Sequence, residues 1–253
     1  RPPRSTLFPY TTLFRSVPDD FYGDGKLADE AVSRLRQLAG GGKPFFLAVG
    51  FFKPHLPFVA PKKYWDLYPE ATVKMPDNYY PPKDAPEGAV HNSGELRAYT
   101  DVPKQGVLPE DLALKLIRGY RAATSYTDAQ IGKVLAELDT LKLRDSTVVI
   151  LWGDHGWNLG EHTMWCKHCC FETSMRVPLI VGAPMSPGFK AGGKTMAIAE
   201  YIDIYPTLCD LAGIEKPRQL QGMSFAAQLA DPSRPLRDRS EERRVGKECR
   251  SRW

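Results

Sequence analysis

Cysteine is scarce in this sequence, and long apolar runs are missing from it. Only five of the 253 residues are cysteine, and three of these crowd into residues 166–170. Thiols so few and so clustered exclude a fold built on a disulfide framework. The longest apolar stretches, residues 45–52 and 147–152, are far shorter than the roughly 20 residues of a membrane-spanning helix. No span is therefore expected, and the absence of internal repeats excludes a solenoid.

The two ends of the chain differ from the rest. Residues 1–16 match one reading frame of a common short-read sequencing adapter, and residues 239–253 match a frame of the reverse complement of the same DNA. Two unrelated protein tails would not be encoded by complementary strands. We therefore predict that both tails are adapter-derived and not native, and we exclude them from fold reasoning. The native segment is then residues 17–238, with its true start and end undefined.

The net charge of +4 depends on these two tails. They hold nine of the 34 Lys and Arg residues and three of the 30 Asp and Glu residues, which leaves residues 17–238 with 25 basic and 27 acidic side chains. A basic surface that could attract nucleic acid is therefore not expected, and we predict no nucleic-acid partner. The 222 residues between the tails are enough to bury one large hydrophobic core.

Three segments have apolar residues at helical spacing. The pattern predicts helices over residues 28–39, 110–141 and 200–212, with the second bent near residues 124–125. Between the first two, residues 57–109 are rich in Pro, Asp, Lys and aromatic residues. We interpret them as a long excursion over the surface that contains one short helix.

Strand-like runs alternate with these helices. Continuous apolar runs at residues 45–52 and 147–152 are typical of strands buried on both faces of a parallel sheet, and a shorter strand is predicted over residues 176–182. Helices and strands in alternation indicate an α/β fold with a mainly parallel sheet flanked by helices.

Polar residues follow two of the predicted strands directly. His55 comes after the first strand, and Asp154 and His155 come after the second. In open α/β sheets ligands bind where the carboxyl ends of the strands open into loops, so a metal or anion site is expected there. Gly153 and Gly156 flank the pair and let the backbone bend. The alternative is that Gly-Asp-His-Gly forms an ordinary turn with a capping Asp.

Longer strings around these positions resemble the sulfatase family. Residues 153–168 read G-D-H-G-W-N-L-G-E-H-T-M-W-C-K-H, and a Val-Pro-Leu strand follows them at residues 177–179. Residues 46–58, with Lys-Pro-His after the strand, resemble the iduronate-2-sulfatase group within that family. The likeness continues through residues 120–135 and 203–213 in the same order. The resemblance implies an alkaline-phosphatase/sulfatase-like fold that residues 17–238 contain in part, without its N-terminal strands and C-terminal subdomain.

The resemblance also implies a role for each residue of the site. Asp154 and His155 are expected to be ligands of a divalent cation, Ca²⁺ in this family, although a hard ion prefers oxygen ligands. Lys167 is expected to bind the sulfate. His55 is expected to contact the sulfate or the leaving oxygen and to donate a proton. Trp157 is expected to shape the substrate pocket or to pack beneath it. Without the family pattern, Lys167 would be read as a surface charge and His55 as a structural histidine.

The Cys-Lys-His-Cys-Cys string departs from the family pattern. Cys166 and Cys169, with His162 and His168 nearby, have the spacing of half a zinc site. The alternative is that these thiols are partly buried or form a local disulfide. Zinc would require four well-placed ligands, and the Cys-Cys pair does not recur elsewhere in the chain.

The nucleophile of the family is expected to lie outside this chain. In sulfatases the Cys or Ser of a Cys-x-Pro-x-Arg or Ser-x-Pro-x-Arg motif is oxidised to formylglycine, and paired Asp residues complete the metal site. We expect these residues to precede Val17 and to be absent from residues 17–238. The chain by itself is therefore predicted to have no sulfatase activity.

The parent enzyme is expected to hydrolyse sulfate esters of a sulfated carbohydrate. One alternative is a phosphodiesterase or phosphonate hydrolase of the same superfamily, which the identity of the nucleophile would distinguish. A second alternative is a non-catalytic carbohydrate-binding relative, which loss of the upstream Asp ligands would favour. Export to the periplasm, the lysosome or the cell exterior is expected from the habit of the family.

Overall fold

The computed structural model describes residues 6–7 and 15–238. These residues separate into two compact units. The first unit contains the chain up to Lys142 together with Trp152–Pro178, and the second contains Leu143–Leu151 and the chain from Leu179 onward. The tails predicted to be foreign lie largely outside the described residues. Leu7 is one exception, because it is fully buried in the core of the first unit.

Two long helices form the framework of the first unit. Helix α1 spans Gly23–Gly40 and helix α4 spans Glu110–Thr140. In α1 the buried apolar residues are spaced three or four apart, as an amphipathic helix requires: Ala28, Ala31, Val32 and Leu35. The predicted first helix is therefore confirmed, and it starts five residues earlier than the pattern indicated.

Helix α4 begins directly after Pro109 with two acidic residues in its first turn. Their negative charges stabilise the helix by interacting with the positive N-terminal end of its dipole. It runs as one helix through residues 124–125, where a bend was predicted. Its small residues let large neighbours approach closely. A Cβ atom on Gly119 would lie 2.9 Å from the ring of Trp65 and 3.1 Å from Phe58.

A buried tyrosine hydroxyl connects the two helices. The Tyr126 hydroxyl accepts a hydrogen bond from the backbone N–H of Gly25 at 2.7 Å and donates one to the carbonyl of Asp19 at 2.8 Å. Near the C-terminal ends of both helices, the Arg36 guanidinium donates to both carboxylate oxygens of Glu137 at 2.8 and 2.9 Å. The Tyr126 contacts fix the start of α1, which holds part of the candidate site.

The prediction for residues 57–109 was wrong in one respect. This segment is mostly irregular, with helix α2 at Lys62–Trp65, a 3₁₀ turn at Glu70–Thr72 and helix α3 at Gly94–Arg97. It does not simply cover the surface, since it supplies many of the core residues: Phe58, Ala60, Tyr64, Trp65, Val73, Leu96, Tyr99, Val102 and Leu108. Aromatic and apolar side chains spaced along an irregular chain can still converge on one core, a pattern that periodicity does not detect.

The predicted first strand was also wrong. Residues 45–52 are not assigned to a strand, and their exposure alternates along the chain. Phe46 is 79% and Phe52 60% exposed, while Phe45, Leu47, Val49 and Phe51 are half-buried. A period of two is that of an extended chain with one covered face. Burial on both faces needs strand partners and covering helices, and the described residues supply no paired strand here.

Two short strand pairs are present among the described residues. Strand β1, Val149–Trp152, pairs with β4, Leu179–Gly182, so both remaining predicted strands are confirmed. Strands β2, Asn158–Leu159, and β3, Trp165–Cys166, form an antiparallel pair. A 3₁₀ turn at Glu161–Thr163 joins β2 to β3. Helix α5, Glu172–Met175, follows β3.

The second unit contains the helix predicted over residues 200–212. A 3₁₀ turn, Tyr201–Asp203, leads into helix α6, Ile204–Ala212, and Gly213 ends it with φ +64°. That left-handed conformation suits glycine, which commonly ends helices in this way. Helix α7, Ala226–Ala230, comes later. No helix in the described part of the chain is both long and apolar enough to cross a membrane.

Candidate active site

The segment that carries His55 is fixed to the start of α1. The buried carboxylate of Asp24 accepts hydrogen bonds from the backbone N–H of Lys53 at 2.8 Å and of Phe52 at 3.1 Å. The buried ammonium of Lys53 then donates to the carbonyls of His55 at 2.8 Å and Pro57 at 2.7 Å. The lysine of the Lys-Pro-His string therefore has a structural role, because it holds the loop on which His55 is presented.

We expect the buried ammonium of Lys53 to make stability depend on pH. Burial lowers the pKa of Lys53 to about 8, although the carboxylate of Asp24 opposes this shift. Between about pH 8 and 10.5 the unfolded chain then binds more protons than the folded chain, so this group makes stability rise with pH. The gain is at most roughly 3 kcal/mol. Urea unfolding of wild type and Lys53→Met at several pH values measures this pH-dependent contribution to the unfolding free energy.

The matched control for this prediction is Lys83→Met, which removes an exposed lysine of the same unit. It should leave the pH dependence of the unfolding free energy as in wild type. If the unfolding free energy of Lys53→Met also rises above pH 8 as steeply as that of wild type, the buried ammonium is not the cause of the pH dependence.

His55 directs one ring nitrogen towards Lys167. Its Nδ1 lies 2.9 Å from the carbonyl oxygen of Leu56, an acceptor, so Nδ1 carries a proton. Its Nε2 lies 2.8 Å from the ammonium nitrogen of Lys167 and 3.0 Å from Oε1 of Glu95. The hydrogen bond to Leu56 thus fixes the tautomer, and Nε2 is the nitrogen available for chemistry.

Lys167 is presented by an unusual stretch of backbone. It follows β3, and its neighbours Cys166 and His168 have φ +70° and +74°. Left-handed conformations are uncommon for residues other than glycine and cost on the order of 1 kcal/mol each. Such strain persists only where the surrounding structure imposes it, and it clusters at functional sites. The side chain of Lys167 is 13% exposed.

Glu95 completes a triangle with His55 and Lys167. Its Oε1 lies 3.0 Å and its Oε2 2.9 Å from the Lys167 nitrogen, and its side chain is 14% exposed. Burial alone would raise the pKa of Glu95, but hydrogen bonds from His55 and Lys167 and their positive charge lower it to about 2. Glu95 is therefore a carboxylate at any ordinary pH.

Trp157 lies beneath these charged groups. Its indole is 9% exposed and has its centre 5.4 Å from the ring centre of His55 and 5.9 Å from that of His155. The ammonium of Lys167 lies 5.0 Å from the indole centre, within the range of a cation–π interaction. Packing beneath the site, one of the two roles expected for Trp157, matches this position. The indole brings His55, Lys167 and His155 together.

Asp154 and His155 follow β1 as the sequence indicated. The Asp154 side chain is 87% exposed, and its Oδ2 lies 3.7 Å from Nε2 of His155. The other imidazole nitrogen, Nδ1, lies 2.8 Å from the carbonyl of Gly156 and donates to it, which leaves Nε2 free to bind a metal. Oδ2 of Asp154 and Nε2 of His155 are close enough for one cation to contact both. Ca²⁺ takes six to eight oxygen ligands, so this pair alone could supply only part of its shell.

The described residues 6–7 and 15–238 contain no group of three or more His, Cys, Asp or Glu side chains arranged for a metal ion. The zinc site considered for the cysteine cluster is therefore not formed by these residues. Cys166 is buried, Cys169 half-buried and Cys170 exposed, and none of the three is in a disulfide. The local disulfide offered as the alternative does not form either. Cys169 Sγ instead lies 3.1 Å from the hydroxyl of Ser174.

One expectation about the nucleophile motif requires correction. Although residues 17–238 were expected to contain neither form of the motif, a Ser-x-Pro-x-Arg string occurs once, at residues 233–237. In the structure the Ser233 hydroxyl donates to the carboxylate of Asp231 at 2.6 Å, and the Arg237 guanidinium binds Asp203 and Glu200. These side chains stabilise a turn of the second unit. The Cys form of the motif does not occur in the sequence.

Glu95 is the site residue that sequence reasoning missed. It lies in the irregular segment before α4, 40 positions after His55 and 72 before Lys167, and no motif marks it. An unpaired Glu in a Pro-rich loop is usually a solvated charge. Only the folded chain shows that it joins the two predicted catalytic side chains.

The family of the chain can be stated from comparison with known proteins. A family model described as Sulfatase matches residues 2–214. The chain belongs to the sulfatase family. This sulfatase chain is 33% identical over 241 residues to iduronate 2-sulfatase of Mus musculus. The alignment covers 84% of the chain but 44% of that relative, so the chain spans less than half the length of the curated enzyme.

Solved structures show the same fold. The phosphonate monoester hydrolase SpPMH from Silicibacter pomeroyi matches with a TM-score of 0.71 at 24% identity, over 86% of this chain and 43% of its own. The structure of BT4656 in complex with its substrate, D-glucosamine-2-N,6-O-disulfate, matches with a TM-score of 0.68 at 22% identity, over 86% of this chain and 54% of its own. The expected α/β, sulfatase-like fold, present in part, is thereby confirmed.

Proposed function

We propose that the enzyme to which this chain belongs hydrolyses sulfate esters of a sulfated carbohydrate, as iduronate-2-sulfatases do. The observation that carries the proposal is the pairing of Lys167 with His55 at 2.8 Å. A fixed positive charge beside a titratable ring is the combination that an anionic ester with a poor leaving group requires. Membership of the sulfatase family and the sulfated sugar bound to BT4656 support this choice of substrate.

We assign the two side chains different tasks. The ammonium of Lys167 binds the sulfuryl oxygens and neutralises charge that develops on them, which a partly buried site strengthens. Nε2 of His55 faces the leaving oxygen, because Nδ1 is already committed to the carbonyl of Leu56. The doubly protonated ring would donate its Nε2 proton to that oxygen and keep its Nδ1 proton. Trp157 holds both groups in place and would contribute to substrate binding through packing.

Asp154 and His155 would hold the divalent cation of the family, Ca²⁺, as part of its shell. When bound, the cation supplies positive charge that polarises the ester. The formylglycine of the family would supply the nucleophile of the parent enzyme. Among the described residues, none around Lys167 and His55 belongs to its motif. We therefore propose that the 253-residue chain alone does not turn over sulfate esters.

Hydrolysis of a phosphonate or phosphate diester is the second candidate. The likeness to SpPMH favours it as far as the fold goes, while the family model and the relative at 33% identity favour sulfate. A non-catalytic carbohydrate-binding role is the third, and it predicts binding without turnover in the parent enzyme as well. We also propose export for the parent enzyme, which follows family habit.

The test uses the purified chain, a chromogenic aryl sulfate and inorganic sulfate. We expect no turnover above background, and sulfate binding by calorimetry that weakens at least tenfold in Lys167→Met. The control Lys83→Met should bind as wild type does. Turnover by the chain would refute the proposed inactivity. Equal binding by Lys167→Met would refute the assigned role, and a preference for a phosphonate over sulfate would favour the second candidate.

A further inference from the structure

A carboxylate already occupies the proposed anion site. The ammonium nitrogen of Lys167 donates a hydrogen bond to Oε1 of Glu95 at 3.0 Å, forms an ion pair with Oε2 at 2.9 Å, and lies 2.8 Å from Nε2 of His55. The Nδ1 proton of His55 is bound to the Leu56 carbonyl. Trp157 covers a further side of the ammonium. The Glu95 carboxylate therefore stands where a sulfate oxygen would have to meet the Lys167 ammonium.

Two anions also cannot share this position. Glu95 is only 14% exposed and carries a full negative charge, since its pKa is lowered to about 2. A sulfate placed beside Lys167 would lie within a few ångströms of this carboxylate in a site of low dielectric, where like charges repel by several kcal/mol. Binding of the anion thus requires that Glu95 leave.

The structure provides space into which Glu95 can move. A cavity of about 270 Å³ adjoins it and is lined in part by His91, Ser93, Glu95, Cys166, Lys167 and His168. A water molecule takes about 30 Å³ in the liquid, so the cavity is larger than a carboxylate needs. Rotation of the Glu95 side chain into it would leave the backbone of α3 in place.

His91 offers a partner for the displaced carboxylate. Its Nδ1 accepts a hydrogen bond from the backbone N–H of Ser93 at 2.9 Å, which places the proton of the neutral ring on Nε2. That Nε2 is buried and has no hydrogen-bond partner among the described residues. Buried donors normally have a hydrogen-bond acceptor. A Glu95 carboxylate that moved into the same cavity could accept the hydrogen bond from Nε2 of His91.

We propose that Glu95 is an internal competitor for the anion site: its carboxylate occupies the position beside Lys167 and Nε2 of His55 and is displaced into the neighbouring cavity when a sulfate group binds. The inference rests on the proposed function, because it assumes that sulfate binds at these two side chains. It assigns Glu95 the role of a selectivity gate. Anions that bind Lys167 less strongly than the resident carboxylate do not enter.

The experiment compares inorganic sulfate binding to wild type and Glu95→Gln by calorimetry at neutral pH. We expect Glu95→Gln to bind at least tenfold more tightly, because the competing charge is gone. The exposed residue Glu87 lies in the same loop, so Glu87→Gln is the matched control and should bind as wild type does. Unchanged or weaker binding by Glu95→Gln overturns the proposal.

A measurement on the wild-type chain covers the case in which the variant does not fold. The carboxyl ¹³C resonance of Glu95 should shift as sulfate saturates the site, while that of Glu87 stays constant. A Glu95 resonance unchanged at saturation overturns the displacement. Lys167→Met separates the two hypotheses, because loss of binding in it with no gain in Glu95→Gln refutes the competitor and retains the anion site. Binding unaffected by either change refutes the proposed function.

Discussion

Replacing Gly156 with alanine should destabilise the first unit by about 3 kcal/mol and abolish sulfate binding. A Cβ atom on Gly156 would lie 2.0 Å from the carbonyl oxygen of Thr173 and 3.0 Å from the Cα of Ser174. These are backbone atoms, so no side-chain rotation can relieve the overlap. The loop that carries Asp154 and His155 must then separate from α5 and lose the hydrogen bond from the Gly156 N–H to Ser174 at 2.8 Å.

Urea unfolding and sulfate calorimetry measure the two parts of this prediction. Gly132→Ala is the control, because it lies inside α4 and its added Cβ has no atom within 4 Å. It should stabilise the chain by about 0.5–1 kcal/mol, as alanine is the better helix former. A Gly156→Ala protein with wild-type stability and binding would show that the loop and α5 can part without cost.

Replacing Arg237 with methionine should destabilise the second unit by about 3–5 kcal/mol. The carboxylate of Asp203 is fully buried and is bound by Arg237 and by the backbone N–H groups of Glu200 at 2.8 Å and Met223 at 2.7 Å. Arg237 also pairs with Glu200. Without the guanidinium, the Asp203 carboxylate remains buried with no opposite charge.

The pH dependence gives this second prediction a distinct signature. Burial raises the pKa of Asp203, although the hydrogen bond from Met223 opposes the shift. An acid whose folded pKa is raised binds more protons in the folded state, so its contribution to stability grows as pH falls. Loss of the Arg237 charge should raise the pKa of Asp203 further, so acid relieves the variant more than the wild type, and the defect of Arg237→Met should be smaller at acidic than at neutral pH.

Urea unfolding of three proteins tests it. Arg234→Met removes an exposed arginine of the same turn and should change the unfolding free energy by less than about 0.5 kcal/mol. The double variant Asp203→Asn/Arg237→Met should be more stable than Arg237→Met alone, since it removes the uncompensated charge. A single Arg237 variant as stable as Arg234→Met would contradict the prediction.

Much of the helical framework could be predicted from the sequence. Helices α1, α4 and α6 have apolar residues at helical spacing over several turns, and glycine follows α1 and α6 directly, so local preference and burial agree. Residues 45–52 show the limit. Their continuous apolar run is equally compatible with a strand inside a sheet and with an extended segment that has one exposed face, because partners distant in sequence decide which forms.

Candidate site residues could be named from the sequence where short local strings contain them. His55, Asp154, His155 and Lys167 each stand in a short pattern beside a buried segment, and the folded chain places His55, His155 and Lys167 around one indole. Gly156 was expected to supply backbone freedom, and the structure shows instead that it permits close approach to α5. The same residue type satisfies either need, and sequence does not distinguish them.

By itself the sequence determined the family, the main helices and the residue types of the site, because these depend on neighbours along the chain. Tertiary structure alone decided that Glu95 lies between Lys167 and His55, that Lys53 holds the His55 loop, and that Arg237 offsets Asp203. The reason is physical: a charge acts on whatever lies within a few ångströms of it. Glu95 and Lys167 interact at this short range although they are 72 positions apart in the sequence.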